Sequence, residues 1–136
     1  MKHVLVLIVL LAACSGTLQA QTPAEQQAWL AKAQPATVPP AFATWWTDVA
    51  SDCGCAPAIT FDQLLWYTIP GDAFQCGRAE QCAGIFSQDD GIIVLAKRYF
   101  GNERVIKHEM LHAMLNGDQG HHHAAWVKYG SPLAGL

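Results

Sequence analysis

His108-Glu109-Met110-Leu111-His112 sets two imidazoles and a carboxylate at a spacing that suits a metal ion. On an α-helix, residues four apart project from one face with Cβ atoms about 5–6 Å apart, so His108 and His112 can both reach one Zn2+ at about 2.0–2.1 Å. Glu109 lies beside them and is not itself a ligand. A carboxylate there can take a proton from a metal-activated water and return it to a leaving amine. The competing reading is a helix whose two histidines are merely satisfied near its surface.

A catalytic zinc site takes a third protein ligand. After the motif the chain offers Asp118, His121, His122 and His123, and at about 3.3–3.6 Å per residue reach excludes none of them. Gly117 and Gly120 bracket a turn, and a ligand directly after Gly120 can be aimed from the loop, which favours His121. Periodicity favours His122: if a final helix begins near that residue, His122, Trp126 and Tyr129 share one face. His121 is the expected ligand. His122 stays open as the alternative ligand, and it or Tyr129 as a donor to the developing oxyanion.

The elements around the motif follow from periodicity and turn chemistry. Ile106, Met110, Ala113 and Met114 form an apolar stripe on a helix over 103–115, with Asn102 as N-cap and Gly117 as the left-handed residue past its end. Ile85-Phe86 and Ile92-Ile93-Val94-Leu95 flank Gln88-Asp89-Asp90-Gly91, which predicts a hairpin leading into that helix. Phe42, Trp45, Trp46 and Val49 predict an amphipathic helix ending near Cys53-Gly54. The β-branched and aromatic run from Ile59 to Ile69 predicts one or two strands, stopped by Pro70-Gly71. Asp72 to Gln81 reads as a loop tied down by cysteines, and Thr22-Pro23-Ala24-Glu25 as a capping box opening a short helix to about Gln34. These elements amount to an α+β fold with a small antiparallel sheet. The sequence shows no internal repeat, no glycine-rich phosphate loop and no Gly-x-Ser-x-Gly turn.

The motif helix and the region after it resemble the zincin metallopeptidases, whose signature is this pentapeptide with a third ligand further along. Leu115 and Asp118 stand where the metzincin pattern has Gly and His, so the small gluzincin-like or SprT-like layouts, with a more distant ligand, are the closer match. Gly120-His121, with Trp126 five residues on, is similar to short bacterial zincins. The resemblance implies a zincin-like domain over 41–136 that hydrolyses peptide bonds of a peptide or protein substrate with Zn2+. It also implies an edge strand beside the site that holds an extended peptide, for which Ile92 to Leu95 is the candidate. Four consecutive apolar residues equally suit an ordinary core strand.

Lys2 followed by the apolar run Val4 to Ala13 reads as a signal peptide over 1–13, the run being about half the length a membrane-spanning helix needs. Leu11-Ala12-Ala13-Cys14 resembles a bacterial lipobox, which implies lipidation at Cys14 and a tether with a short helix over 14–40. A cut after Ala20 is the alternative and puts bulky Leu18 at the −3 position. Ser15 resembles the sorting signal for an outer-membrane lipoprotein facing the periplasm, so the membrane is a partner through the lipid. Loss of Lys2 lowers the 8 basic residues by one against 11 acidic, and the formal charge falls from −3 to −4. With no basic cluster, nucleic acid is excluded as a partner.

Cys53, Cys55, Cys76 and Cys82 then form an even set in an oxidising compartment, which predicts two disulfides. Three pairings are possible. A bridge within Cys53-x-Cys55 closes a very small loop, so each member of that couple is expected to pair with the 76/82 couple. The spacings do not match the common four-cysteine zinc sites. Two functions remain in view: an envelope-anchored zinc metallopeptidase, and a lipoprotein that binds or buffers zinc through His121-His122-His123 without chemistry. Glu109 separates them, because a binding module has no use for a carboxylate at that place.

Overall fold

A computed structural model describes residues 28–76, 81–118 and 120–130. The signal peptide, Cys14 and the capping box at Thr22 lie outside the described residues. In chain order the elements are β1 (Gln34–Pro35), α1 (Ala41–Cys53), β2 (Leu65–Ile69), β3 (Phe74–Gln75), β4 (Gln81–Cys82), β5 (Gly84–Ser87), β6 (Ile92–Ala96), α2 (Glu103–Met114) and α3 (Trp126–Tyr129), with single 3-10 turns at Phe61–Gln63 and Lys97–Tyr99. The fold is α+β, as expected.

β6 is the centre of the molecule. All five of its residues are buried, and the sheet order β1-β2-β6-β5 puts it between two neighbours. Ile93 and Leu95 face a cluster that includes Phe42, Trp66, Ile106 and Met110. Ile92, Val94 and Ala96 face a second cluster with Trp29, Ile69 and Phe74. A strand covered on both faces reads as a continuous apolar run because neither face meets water. Ile92 to Leu95 is therefore a core strand and not the edge strand expected beside the site; the edge is β5. The sheet is also mixed: β6 pairs antiparallel with β5 through the predicted hairpin but parallel with β2. Gly91, at φ 62°, supplies the left-handed residue that closes the hairpin turn.

The segment before α1 belongs to this architecture. The helix expected to run to Gln34 ends at residue 30, and a turn carries Lys32 and Ala33 N–H back to the carbonyls of Trp29 and Leu30. Gln34 and Pro35 instead form β1 at the outer side of β2, a place where a proline without an N–H is tolerated. With Trp29 only 3% exposed behind the sheet, packing to the domain begins inside the stretch expected to be its tether.

Both helices match their expected faces. In α1, Phe42 and Val49 are fully buried, and the Phe42 ring packs on Trp45, Trp66 and Phe100 with centroids 5.1–5.4 Å apart. α2 buries nine residues from Val105 to Met114, among them the whole His-Glu-x-x-His motif. Its N-cap is Asn102, whose side chain accepts from Val105 N–H. Its end is a Schellman turn: Gly117 N–H donates to His112 O and Asn116 N–H to Ala113 O. The left-handed residue just past the helix is thus Asn116, at φ 54°, one position before the expected Gly117.

Two disulfides form, but within the couples and not between them: Cys53–Cys55 and Cys76–Cys82. Gly54 ends α1 in the left-handed conformation (φ 61°, ψ 17°) with its N–H on Ala50 O. That reversal brings the Cα atoms of Cys53 and Cys55 to 5.1 Å, inside the usual bridging range. Pairing of β3 with β4 likewise sets Cys76 and Cys82 5.8 Å apart. The couples also pack against different clusters, Cys53 and Cys55 on the α1 side of β6 and Cys76 and Cys82 on the other.

Candidate metal centre

His108 and His112 rise from one face of α2, and the loop after the helix returns His121 to them. Their ligand atoms all lie within 4.8 Å of one another, so this group could hold a metal ion. His112 Nε2 is 3.2 Å from His108 Nε2 and 3.3 Å from His121 Nε2.

Backbone carbonyls decide which nitrogen of each helical histidine faces inward. His108 Nδ1 lies 2.7 Å from Tyr129 O and His112 Nδ1 2.5 Å from Gly117 O. A carbonyl only accepts, so each Nδ1 carries the proton and each Nε2 presents a lone pair. Burial lowers both imidazoles to about 4, which keeps them neutral at pH 7. Two such lone pairs 3.2 Å apart cannot hydrogen-bond to each other; a shared cation relieves their repulsion. Two Zn–N bonds of about 2.0–2.1 Å at a tetrahedral angle place their nitrogens about 3.3–3.4 Å apart. The His112 spacings to His108 and His121 suit such a pair of bonds, and the three imidazoles could hold a metal ion.

His121 has no helix to hold it, and Asp118 supplies the frame. The Asp118 carbonyl accepts His121 N–H at 2.9 Å. Its carboxylate accepts the backbone N–H groups of His122 and His123 at 3.2 and 3.1 Å and the Trp126 indole N–H at 2.6 Å. Burial alone would raise the Asp118 carboxyl, but the Trp126, His123 and His122 donors outweigh it and hold it at about 2. Trp126 then lies under all three histidines, its ring 4.1 Å from His121, 4.5 Å from His112 and 5.0 Å from His108 between centroids. Left-handed backbone at Asn116, Asp118 and His121 winds the loop tightly enough to make this return.

The remaining candidates fall elsewhere. Asp118 is committed to its four donors. The His122 side chain is 86% exposed, with Nδ1 3.3 Å from Asp118 Oδ1. No helix starts there, so the face shared by His122, Trp126 and Tyr129 does not form; α3 begins at Trp126. His123 Nδ1 accepts from Ala125 N–H. The Tyr129 hydroxyl donates to Asp52 at the end of α1, where Lys128 Nζ also binds, and burial together with Asp52 pushes the phenol above its ordinary range. Tyr129 serves the centre through its carbonyl on His108, and its hydroxyl is not available to an oxyanion.

Glu109 is 4% exposed. Burial raises its carboxyl to about 8, with no donor or cation among the described residues to offset it. The side chain lies against Gly84 of β5: a Cβ at that glycine would sit 2.8 Å from Glu109 Oε1 and 2.9 Å from its Cγ. Sequence reasoning missed Gly84, although a glycine inside a predicted strand signals close approach of another group. It also missed Asp118 as the loop's anchor. Comparison with protein-family models, curated proteins and solved structures finds no match.

Proposed function

We propose that this chain is a zinc-dependent metallopeptidase, with His108, His112 and His121 holding the metal. The observation that carries this reading is the juxtaposition of three converging imidazoles with Glu109, a buried carboxylate that is no part of the ligand set. Bound zinc supplies a Lewis acid for the scissile carbonyl and for the attacking water. With the bound cation's charge offsetting the burial that otherwise keeps its carboxyl protonated at pH 7, Glu109 would take the proton of that water and deliver it to the departing amine. β5 is the last strand of its sheet among the described residues, and an extended peptide would lie along its outer side. Gly84 brings that strand against Glu109, and the Trp126 ring keeps water from one side of the histidines.

The lipobox-like Leu11-Ala12-Ala13-Cys14 supports a lipid-anchored envelope location, and Ser15 after it supports the outer membrane, facing the periplasm. The second reading, a zinc-binding or zinc-buffering lipoprotein, draws support from the exposed His122 beside the cluster. Incubating the zinc-loaded protein with a peptide library, with and without chelator, separates them. Chelator-sensitive cleavage supports the peptidase; no cleavage across the library, with zinc bound, supports the binding module.

A further inference from the structure

Asp52 stands where its own helix does not favour it. It lies in the last turn of α1, beside carbonyls that carry the negative end of the helix dipole, and that turn holds no basic residue. Its partners come from α3 instead: Asp52 Oδ2 accepts both Lys128 Nζ and the Tyr129 hydroxyl. Those two donors hold the carboxyl below its ordinary range, so it is ionised at neutral pH. Its backbone is anchored by the Gly54 N–H on Ala50 O and by the Cys53–Cys55 bridge that follows.

The four residues of α3 are too few to outweigh the cost of nucleating a helix, so its place is set by what its side chains reach. At one end the Trp126 indole is on Asp118, and at the other the Tyr129 hydroxyl is on Asp52. The Tyr129 carbonyl, in the last turn, lies beyond the helix's own ladder of hydrogen bonds. It accepts His108 Nδ1–H at 2.7 Å. A shift of Tyr129 would carry that carbonyl away from the ring and change the direction of His108 Nε2.

Resting on the reading of His108, His112 and His121 as metal ligands, we propose that Asp52 is a positioning residue for His108: by holding the Tyr129 hydroxyl it fixes the Tyr129 carbonyl, and with it the direction of the His108 lone pair. Lys128, its side chain 63% exposed, meets the same carboxylate from the rim and takes no part in this relay.

The test uses the full chain loaded with Co2+, which stands in for zinc and brings the exchangeable ring protons of ligand histidines into view by proton NMR. Metal affinity is read in parallel by competition with a chromophoric chelator. Tyr129→Phe keeps the ring and the carbonyl and removes only the hydroxyl, while Asp52→Ala removes its acceptor. Each should weaken metal binding about 3–10-fold, the increment of one hydrogen bond and less than that of a direct partner of a ligand. The two losses should not add, because both variants break the same bond. Each should also quicken solvent exchange of one ring proton, the same one in both, whereas general loosening of the fold would move them all. Asp52→Asn, which keeps an oxygen for the hydroxyl, should restore both readouts, and Lys128→Met should leave them unchanged. Parent-like affinity in Tyr129→Phe overturns the proposal, as do additive losses, faster exchange at every ring proton, or an equal loss in Lys128→Met. Should Asp52→Ala not fold, Tyr129→Phe decides alone. A parent that binds neither Co2+ nor Zn2+ overturns the proposal together with the metal centre. If the parent binds metal and the variants behave as stated but no peptide is cleaved, the peptidase reading fails and the role of Asp52 stands.

Discussion

The Asp118 carboxylate takes the Trp126 indole N–H at 2.6 Å, while the Trp126 ring lies 4.1 Å from His121 between centroids. A residue that looked like a metal ligand in sequence thus aims a histidine of the candidate centre. Asp118→Asn keeps the shape but turns one acceptor toward the Trp126 and His123 donors as an amide donor. Zinc affinity should fall about 10–100-fold, the usual effect of a partner behind a ligand. Competition with a chromophoric chelator measures it, and an unchanged affinity would show that the loop holds His121 without its anchor.

Glu109→Gln should leave zinc binding intact and remove hydrolysis, because the side chain is outside the ligand set. Proton transfer of this kind contributes about 10²–10⁴-fold in rate. Metal content and cleavage are measured side by side on one preparation. Parent-like turnover would remove Glu109 from the mechanism.

What was legible in the sequence was local. The His pair, the N-cap at Asn102, the hairpin turn at Gly91 and the buried face of α1 each follow from residues within one or two turns of one another, where spacing dictates geometry. His121 was reachable too, since a ligand just after Gly120 needs only a loop. The rest depended on contacts distant in sequence. Parallel pairing of β2 with β6 joins residues 27 apart, such as Leu65 and Ile92, and no pattern in either strand names its partner. Nor does a run of cysteines say which side of a sheet each will face, and that separation decides the bridges here. Gly84 and Asp118 have meaning only against Glu109 and Trp126.

Gly84→Ala tests the closeness of β5 to the motif. The added Cβ would lie 2.8 Å from both Glu109 Oε1 and Leu95 Cδ2, and Leu95 is fully buried and unable to retreat. Overpacking of this kind costs about 1–3 kcal/mol. Urea unfolding should show that loss, and hydrolysis should drop as Glu109 is displaced, with zinc affinity unchanged because no ligand touches Gly84. A variant as stable and as active as the parent would mean that the strand yields freely.

The two bridges predict a particular fragment pattern. Cleavage after Phe61 or Trp66 under non-reducing conditions should release the piece carrying Cys53–Cys55 from the piece carrying Cys76. Bridges between the couples would keep the pieces joined. Because the sequence separations are only 2 and 6, closure entropy gives about 1.5 kcal/mol for the first bridge and about 2.5 kcal/mol for the second. Cys76→Ala with Cys82→Ala should therefore destabilise more in urea than Cys53→Ala with Cys55→Ala. The buried position of Cys76 adds to that difference.

His121 and His122 are adjacent in sequence, and their alanine variants should nevertheless differ widely. His121 Nε2 lies 3.3 Å from His112 Nε2, whereas the His122 side chain is turned to solvent and its ring nitrogen meets Asp118. Removing His121 takes a donor from a set of three, so zinc affinity should fall by more than the 10–100-fold expected of an outer partner. Removing the His122 ring leaves its backbone N–H on Asp118, and affinity should change little. His121→Gln would retain bulk over Trp126 without restoring the imidazole, which separates lost coordination from lost packing. Should His122→Ala release zinc while His121→Ala retains it, the third ligand is His122, and the loop must rearrange when metal binds.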